Sequence, residues 1–386
     1  MSTLRKLNSV FLTPRTDHQL SRWLLFVLAL HFGILAAGFF APYDPADQDR
    51  DRPYLPPMRM HFLDAQHHFH ARPFFYALRL APGSFDQYEE DVSAPIPLRF
   101  FTAGARYHLL GFIPARRHLF GSGASHPTPN NPPPRLYLLG TDAFGRDLLS
   151  RFLFGGQISL LAGLLGAAVT LSLGTLVGLT AGFVGGWRDD MLMRLAELFL
   201  ALPWLYLLFA LRAFLPLSVS PVQAFFLVVV VIGVVGWARP ARLVRSIVLS
   251  VKERDFVRAA RGFGASDFYL LHRHLLPETA TVLFTQAAIL IPQFVLAEMT
   301  LSFLGLGVPE PASSWGNLLA ALQQYSVLVS YWWMYIPALL MLPFFVGYLG
   351  LASALQHRSR PFKMEAGVSQ ANSELPVAVS KEVAGA

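Results

Sequence analysis

Glu298 is the one acid in the apolar run from Thr279 to Leu304. A carboxylate held at that depth in hydrocarbon is costly unless it is paired, protonated or facing water. It is therefore a candidate either for lining a solute pathway or for a structural hydrogen bond to a neighbouring helix. Gln286 and Gln293 share the run, although the three residues do not fall on a single helical face. Other chemistry is hard to assemble. None of the lysines, Lys6, Lys252, Lys363 and Lys381, follows a glycine, so no Gly-x-x-x-x-Gly-Lys-Ser/Thr loop is present to cradle phosphates. His-Glu-x-x-His and Gly-x-Ser-x-Gly are absent as well, which argues against an intramembrane hydrolase. With no cysteine there is no thiolate nucleophile, disulfide or cysteine-ligated metal. His67, His68 and His70 offer imidazoles suited to a metal, but no fourth ligand follows at a recognisable spacing. A small folded cap over an outer mouth is the competing role for that region. No catalytic residue, cofactor or metal is expected.

The elements that would position these residues are membrane spans. At 54% hydrophobic and 14% charged, with mean hydropathy +0.44, the 386-residue chain is too apolar for an ordinary soluble domain. Its charge of +7 reads as basic residues on cytoplasmic loops rather than as a nucleic-acid surface. Residues 1–22 are polar, with Arg5, Lys6, Arg15 and Arg22 against Asp17, and precede the uncharged run Trp23 to Ala41. That run is long enough for a first span (23–42), with the amino terminus inside; a cleaved signal peptide, with a weak Ala36-Ala37 site, is the alternative.

Residues 43–139 form a polar insertion, extracytoplasmic by topology, with an extended linker from Ser122 to Pro134. Asp142, Arg146 and Asp147 are expected to pair locally or to cap a helix outside the core. The core itself, 140–356, holds five further spans. Gln157 to Gly186 is longer than the hydrocarbon layer requires, so part of it tilts or projects; its Gly163, Gly166, Ala167 and Gly174 suit close helix packing. The third span, about Met191 to Ala213, carries Glu197 near its start and Pro203 within it. Phe225 to Ala238, Thr279 to Leu304 and Tyr331 to Leu355 complete six. Residues 239–278 hold eight Lys/Arg against four Asp/Glu, which places that loop inside, whereas the loop between the last two spans has no Lys or Arg. His357, Arg358, Arg360 and Lys363 anchor a cytoplasmic tail, 357–386, whose polar composition from Met364 predicts disorder.

Within the basic loop, Asp255 to Pro277 reads as two short helices around a hinge. Asp255 caps the first, Phe256, Ala260 and Phe263 share its apolar side, and Gly262 and Gly264 end it. Ser266 and Asp267 open the second, with Phe268, Leu271 and Leu275 on one face and Pro277 as its stop. Taken alone, this is either a connector lying on anionic lipid or a docking element.

The stretch resembles the cytoplasmic coupling loop of ABC-importer permeases, marked by Glu-Ala-Ala, a glycine shortly after, and Leu-Pro about a dozen residues further on. Ala259-Ala260, Gly264 and Leu276-Pro277 fit that spacing, while Arg258 stands where the family usually has Glu. The segments Gly140 to Arg151 and Leu301 to Asn317 resemble parts of the second permease subunit of dipeptide, oligopeptide and nickel importers. The likeness covers roughly residues 140–355 and, more loosely, the first 45. It implies an all-α membrane protein with six transmembrane helices, the type I ABC importer permease fold, and a long extracytoplasmic insertion after the first helix. It also implies a bacterial inner-membrane location, a heterodimer with a related permease subunit, two ATP-binding-cassette ATPase subunits and an extracytoplasmic substrate-binding protein. On that reading Arg258, Ala259, Ala260, Gly264 and Ala265 contact the ATPase, and Leu276-Pro277 sets the angle of re-entry into the membrane. The competing class is an ion-coupled secondary transporter acting alone; against it stand the single intramembrane acid and the lack of an inverted pair of interrupted helices.

Overall fold

The computed structural model describes residues 17–84, 87–122, 134–214 and 219–359. Arg5, Lys6 and Arg15, most of the proline-rich linker and the tail from Arg360 lie outside the described residues. Helix α1 (Asp17–Leu35) is followed at Ala36 by a separate turn, α2 (Ala37–Phe40), so the first apolar run is broken near its end. The turn is captured by the insertion: the ring of Tyr107 covers Gly38, and His118 Nδ1 donates to the Ala41 carbonyl at 2.6 Å.

The all-α expectation fails in the insertion, which folds as an antiparallel meander in the order β1 (His61–Leu63), β2 (Phe69–Leu80), β3 (Tyr88–Leu109), β4 (Ile113–Ser122). The 22-residue β3 pairs first with β2 and then with β4. Glycines with positive φ, Gly83 and Gly111, lie in the β2–β3 and β3–β4 reversals. Leu55, Phe75, Leu98, Leu136 and Tyr137 form a small core against the sheet.

Helix α3 (Leu148–Val184) has 37 residues, about 55 Å at the α-helical rise, and runs well past a hydrocarbon layer of about 30 Å. The Asp147 carboxylate accepts from the Ser150 N–H at 2.8 Å and caps it. The helix expected outside the core is thus the first turn of this long element. The third apolar segment is not one helix: α4 (Gly186–Ala201) and α5 (Trp204–Ala213) meet at 92°. Pro203 has no N–H to continue the ladder and holds Leu202 extended. Helix α6 (Pro221–Gly236) turns by 44° into α7 (Ala238–Lys252). After α8 (Asp255–Gly262) and α9 (Asp267–Leu270), a π turn (Leu271–Leu275) leads straight into α10 (Leu276–Phe303). Helices α11 (Trp315–Ala320), α12 (Tyr325–Ser330) and α13 (Ile336–Ser359) complete the described chain. Among the described residues, four helices are long and apolar enough to cross a membrane, or up to six if each bent pair is one crossing.

Helix α3 is the spine, and its glycines let other backbones approach. Gly163 faces Ile291 and Val295 of α10, Gly166 faces Ile232 and Phe294, and Gly174, Gly178 and Gly182 form a groove for α7. A methyl group at Gly178 would lie 2.5 Å from the Ala241 carbonyl oxygen, which belongs to rigid backbone. Gly178→Leu is therefore expected to destabilise the protein by at least about 1–3 kcal/mol, read as a lower melting temperature in detergent. Gly33→Ala, with no atom within 4 Å of the added carbon, should melt like the parent.

Candidate functional site

The elbow between α7 and α10 is built on a valine and leucine cluster. Val257 of α8, with Leu270 and Leu275, packs on Val244, Val248 and Val251 of α7. Helix α8 ends in a Schellman turn: Gly264 N–H donates to the Arg261 carbonyl at 3.0 Å, and Ala265 N–H donates to that of Ala260 at 3.1 Å. Gly264 takes φ +85°, which a residue with a Cβ rarely adopts. Ala260 and Ala265, the small apolar pair that closes such a turn, pack together against the valine cluster.

Several details differ from the sequence reading. The residue at the helix N-cap is Arg254, and Asp255 lies in the first turn without a side-chain cap. The inward face is Val257 and Ala260, whereas Phe256 is exposed and Phe263, at the C-cap, is 93% exposed. Ser266 does cap α9, accepting from the Tyr269 N–H at 3.3 Å, but Phe268 points outward at 77% exposure while Leu270 is buried. Pro277 does not stop the helix. It sits in the first turn of α10, just after the π turn, where the Leu276 N–H donates to the Leu271 carbonyl five residues back. Widening the helix at that point accommodates a residue with no N–H and a bulky ring.

The elbow thus presents Arg258, Ala259, Gly264, Phe263 and Phe268 on its outer surface, with Ala260, Ala265, Leu276 and Pro277 half-buried behind them. Arg258 donates to Glu253 at 2.5 Å, and its hydrogen bond and guanidinium charge hold the Glu253 carboxyl below the usual carboxylate range. Arg258 thus carries its own acidic partner within the elbow. Arg254 lies 3.6 Å from Glu278 and ties the elbow to α10. On the other side Arg245 of α7 holds both oxygens of Asp189 in α4, at 2.5 and 2.7 Å. These contacts tie α4, α7, α8 and α10 to one another.

At the opposite end of α10, the three polar residues picked from the sequence separate. Gln286 is half-buried and Gln293 is exposed. Seven residues apart, they lie on nearly the same side of the helix. Glu298 is fully buried. It accepts from Ser159 Oγ and Ser302 Oγ, both at 2.6 Å. Those hydroxyls accept in turn from the backbone N–H groups of Trp315 (3.1 Å) and Val308 (3.3 Å). Glu298 therefore anchors the loop after α10 to α3 and α10, and in this structure it faces no open path. Glu298→Ala should lower the melting temperature by stranding buried donors, a loss of about 1–3 kcal/mol, while leaving the choice of solute unchanged in competition uptake. A changed solute preference would return it to the pathway.

A second network lies beside it. Arg146 donates to Asp142 (2.7 Å) and Glu310 (2.6 Å), and Arg151 donates to Glu310 (2.8 Å). Asp142 also accepts from the N–H groups of Phe144 and Arg146, closing the turn before α3. Sequence spacing reveals the Asp142–Arg146 pair and the Glu298–Ser302 pair, each four residues apart. Glu310 and Ser159 carry no local signal, since their partners are distant in the chain. His68 and His70 turn towards Asp64, at 3.4 and 2.9 Å; no metal-binding cluster is found among the described residues.

Residues 174–361 match the family described as binding-protein-dependent transport system inner membrane component. The chain is 39% identical over 184 residues to the oligopeptide transport system permease protein of Haemophilus influenzae, covering 48% of this chain and 57% of that one. It is 34% identical over 236 residues to the dipeptide transport system permease protein of Bacillus subtilis, covering 60% and 72%. It is also similar to a solved amino acid ABC transporter, at 18% identity and a TM-score of 0.38, over 55% of this chain and 94% of that one. The chain belongs to the family of binding-protein-dependent transport system inner membrane components, and it is a permease component of an ABC importer.

Proposed function

We propose that this chain forms half of a translocation pathway for peptides, with nickel as the less favoured cargo. In this reading it pairs with a related permease subunit above two ATPase subunits, and an extracytoplasmic binding protein delivers the solute. Each bent helix pair counts as one crossing, giving six, with both ends of the chain in the cytoplasm and residues 43–139 outside. ATP binding closes the ATPase dimer, whose grooves carry the elbows of both permeases, and the bundles rock between inward-open and outward-open states. Arg258, Ala259, Ala260, Gly264 and Ala265 form the docking surface, and Phe263 and Phe268 are the apolar side chains that enter the groove. Leu276 and Pro277, at the π turn, transmit the motion to α10. Gln286 and Gln293 face the pathway on this reading, and Glu298 is structural.

One observation carries the proposal: the elbow is packed rigidly on its inner side and bears large exposed aromatics on its outer side. Relatives named for oligopeptide and dipeptide transport support the choice of cargo. The test is uptake into reconstituted vesicles. Peptide accumulation should require ATP, both ATPase subunits and the binding protein, and should ignore an imposed proton gradient. Uptake by the chain alone, driven by that gradient, would overturn the proposal in favour of a secondary transporter.

A further inference from the structure

Between Asp91 and Asp142 the sequence has no acid, yet it carries Arg99, Arg106, Arg116 and Arg117. All four are exposed on the β3–β4 hairpin. The neighbouring Arg79 and Arg135 pair with Asp91 and Asp47, but among the described residues these four have no carboxylate partner. The same hairpin exposes Phe100 and Phe101, and at its tip Phe112, which is 72% exposed. Guanidinium groups interleaved with apolar rings suit a surface that meets lipid phosphates and the upper part of acyl chains.

The hairpin is held at the end of α1. His118 bonds to the Ala41 carbonyl, Tyr107 covers Gly38, and the Phe39 and Phe101 rings are 6.2 Å apart. Beneath it lies an apolar cavity of about 450 Å³, lined among others by Gly33, Phe40, Phe120, Phe152, Leu153 and Phe344. Phe120 belongs to β4, so the hairpin itself closes one side of a cavity whose other walls are the ends of α1, α3 and α13. A cavity so lined takes hydrocarbon rather than water.

We propose that hairpin and cavity form one site for an anionic phospholipid of the outer leaflet, with the phosphate at Arg116, which strand alternation places on the face of β4 that carries Phe120, and an acyl chain in the cavity. Arginine suits this task because its planar fork meets phosphate oxygens two at a time. An acidic soluble partner would use the arginines and leave the cavity beneath them without a role. The inference rests on placing residues 43–139 outside, and the two can be tested apart.

The full chain is purified in mild detergent and the retained phospholipid is measured by mass spectrometry. Two variants are compared with the parent. One carries Arg99→Gln, Arg106→Gln, Arg116→Gln and Arg117→Gln together. The other is Gly33→Phe, whose ring can enter the cavity because no atom lies within 4 Å of the added carbon. The parent should retain phosphatidylglycerol beyond its share of the membrane, and each variant should retain about tenfold less. Undiminished retention in either variant overturns the two-part site. If the arginine variant keeps its lipid and instead loses affinity for the binding protein, the hairpin's partner is a protein and the proposal fails. The chain has no cysteine, so Gln66→Cys, in the exposed β1–β2 turn away from the hairpin, adds a single thiol. It should react with a membrane-impermeant maleimide in spheroplasts; absence of labelling would overturn the outer placement itself.

Discussion

Replacing Gly264 with leucine is expected to reduce ATP-driven uptake by roughly 5- to 30-fold, the effect of about 1–2 kcal/mol of backbone strain on an equilibrium that needs the native turn. The amount of protein in the membrane should change little, and ATP hydrolysis by the assembled complex should continue. The reasoning starts from φ +85° at this residue, which a side chain with a Cβ meets only under strain. No atom of the chain lies within 4 Å of an added Cβ, so the substitution forces no collision inside the subunit. Its effect is confined to the shape of the elbow and to whatever surface approaches it. Two companions separate these causes. Gly264→Asn adds bulk but tolerates the left-handed conformation, and Gly264→Ala adds strain with little bulk. If docking needs close approach, Asn should be impaired nearly as much as Leu; if only the turn matters, Asn should transport well and Ala should not. Normal uptake by the Leu variant would mean that the elbow does not dock on the ATPase.

The elbow was legible in the sequence because its geometry is local. A Schellman turn is written by Ala260, Gly264 and Ala265 within a few residues, and Ser266 announces the next helix by its own hydroxyl. What misled was the apolar face, since helical spacing groups Phe256 with Phe263 but cannot tell which side of a short helix meets its parent subunit. Pro277 misled for a related reason: proline ends most helices, and the π turn that lets this one continue has no sequence mark. The sheet escaped because β3 pairs with two different strands and the insertion's polar, proline-rich composition hides its alternation. Glu298 was visible as a costly buried acid, and one of its partners, Ser302, sits one turn away. The partner that decides its role, Ser159, is 139 residues distant on another helix. Long-range pairs of this kind are products of the fold.

The ion network before α3 gives the second large effect. Asp142, Arg146 and Arg151 are buried, Arg151 with 1% exposure, and the side chain of Glu310 is about half-exposed. Removing Asp142 leaves two buried guanidinium groups facing one carboxylate and also opens the turn that its other oxygen closes. Breaking a buried ion pair from one side typically costs about 3–5 kcal/mol, so Asp142→Ala should lower the melting temperature by on the order of 10 °C. Asp142→Leu combined with Arg146→Met should recover part of that loss, because the charge that needed compensation is gone as well. If the double variant melts lower than Asp142→Ala, the network acts through shape rather than charge. Glu310 adds a dependence on pH. Burial alone would raise its carboxyl, but the hydrogen bond and charge of Arg151, with those of Arg146, outweigh it and hold the group below its ordinary 4.5. A depressed carboxyl contributes stability that is present above 4.5 and is lost as pH falls through the lower value it has in the folded protein. The parent should therefore lose stability on acidification below that point, and Glu310→Gln should lose less over the same interval while starting from a lower plateau. The network joins the segment before α3 to the loop after α10, the same two elements that Glu298 and Ser159 join from inside. On the proposed mechanism, a motion delivered at the elbow through α10 would reach an end that these contacts tie together, so weakening them should blunt transport even where the docking surface is intact.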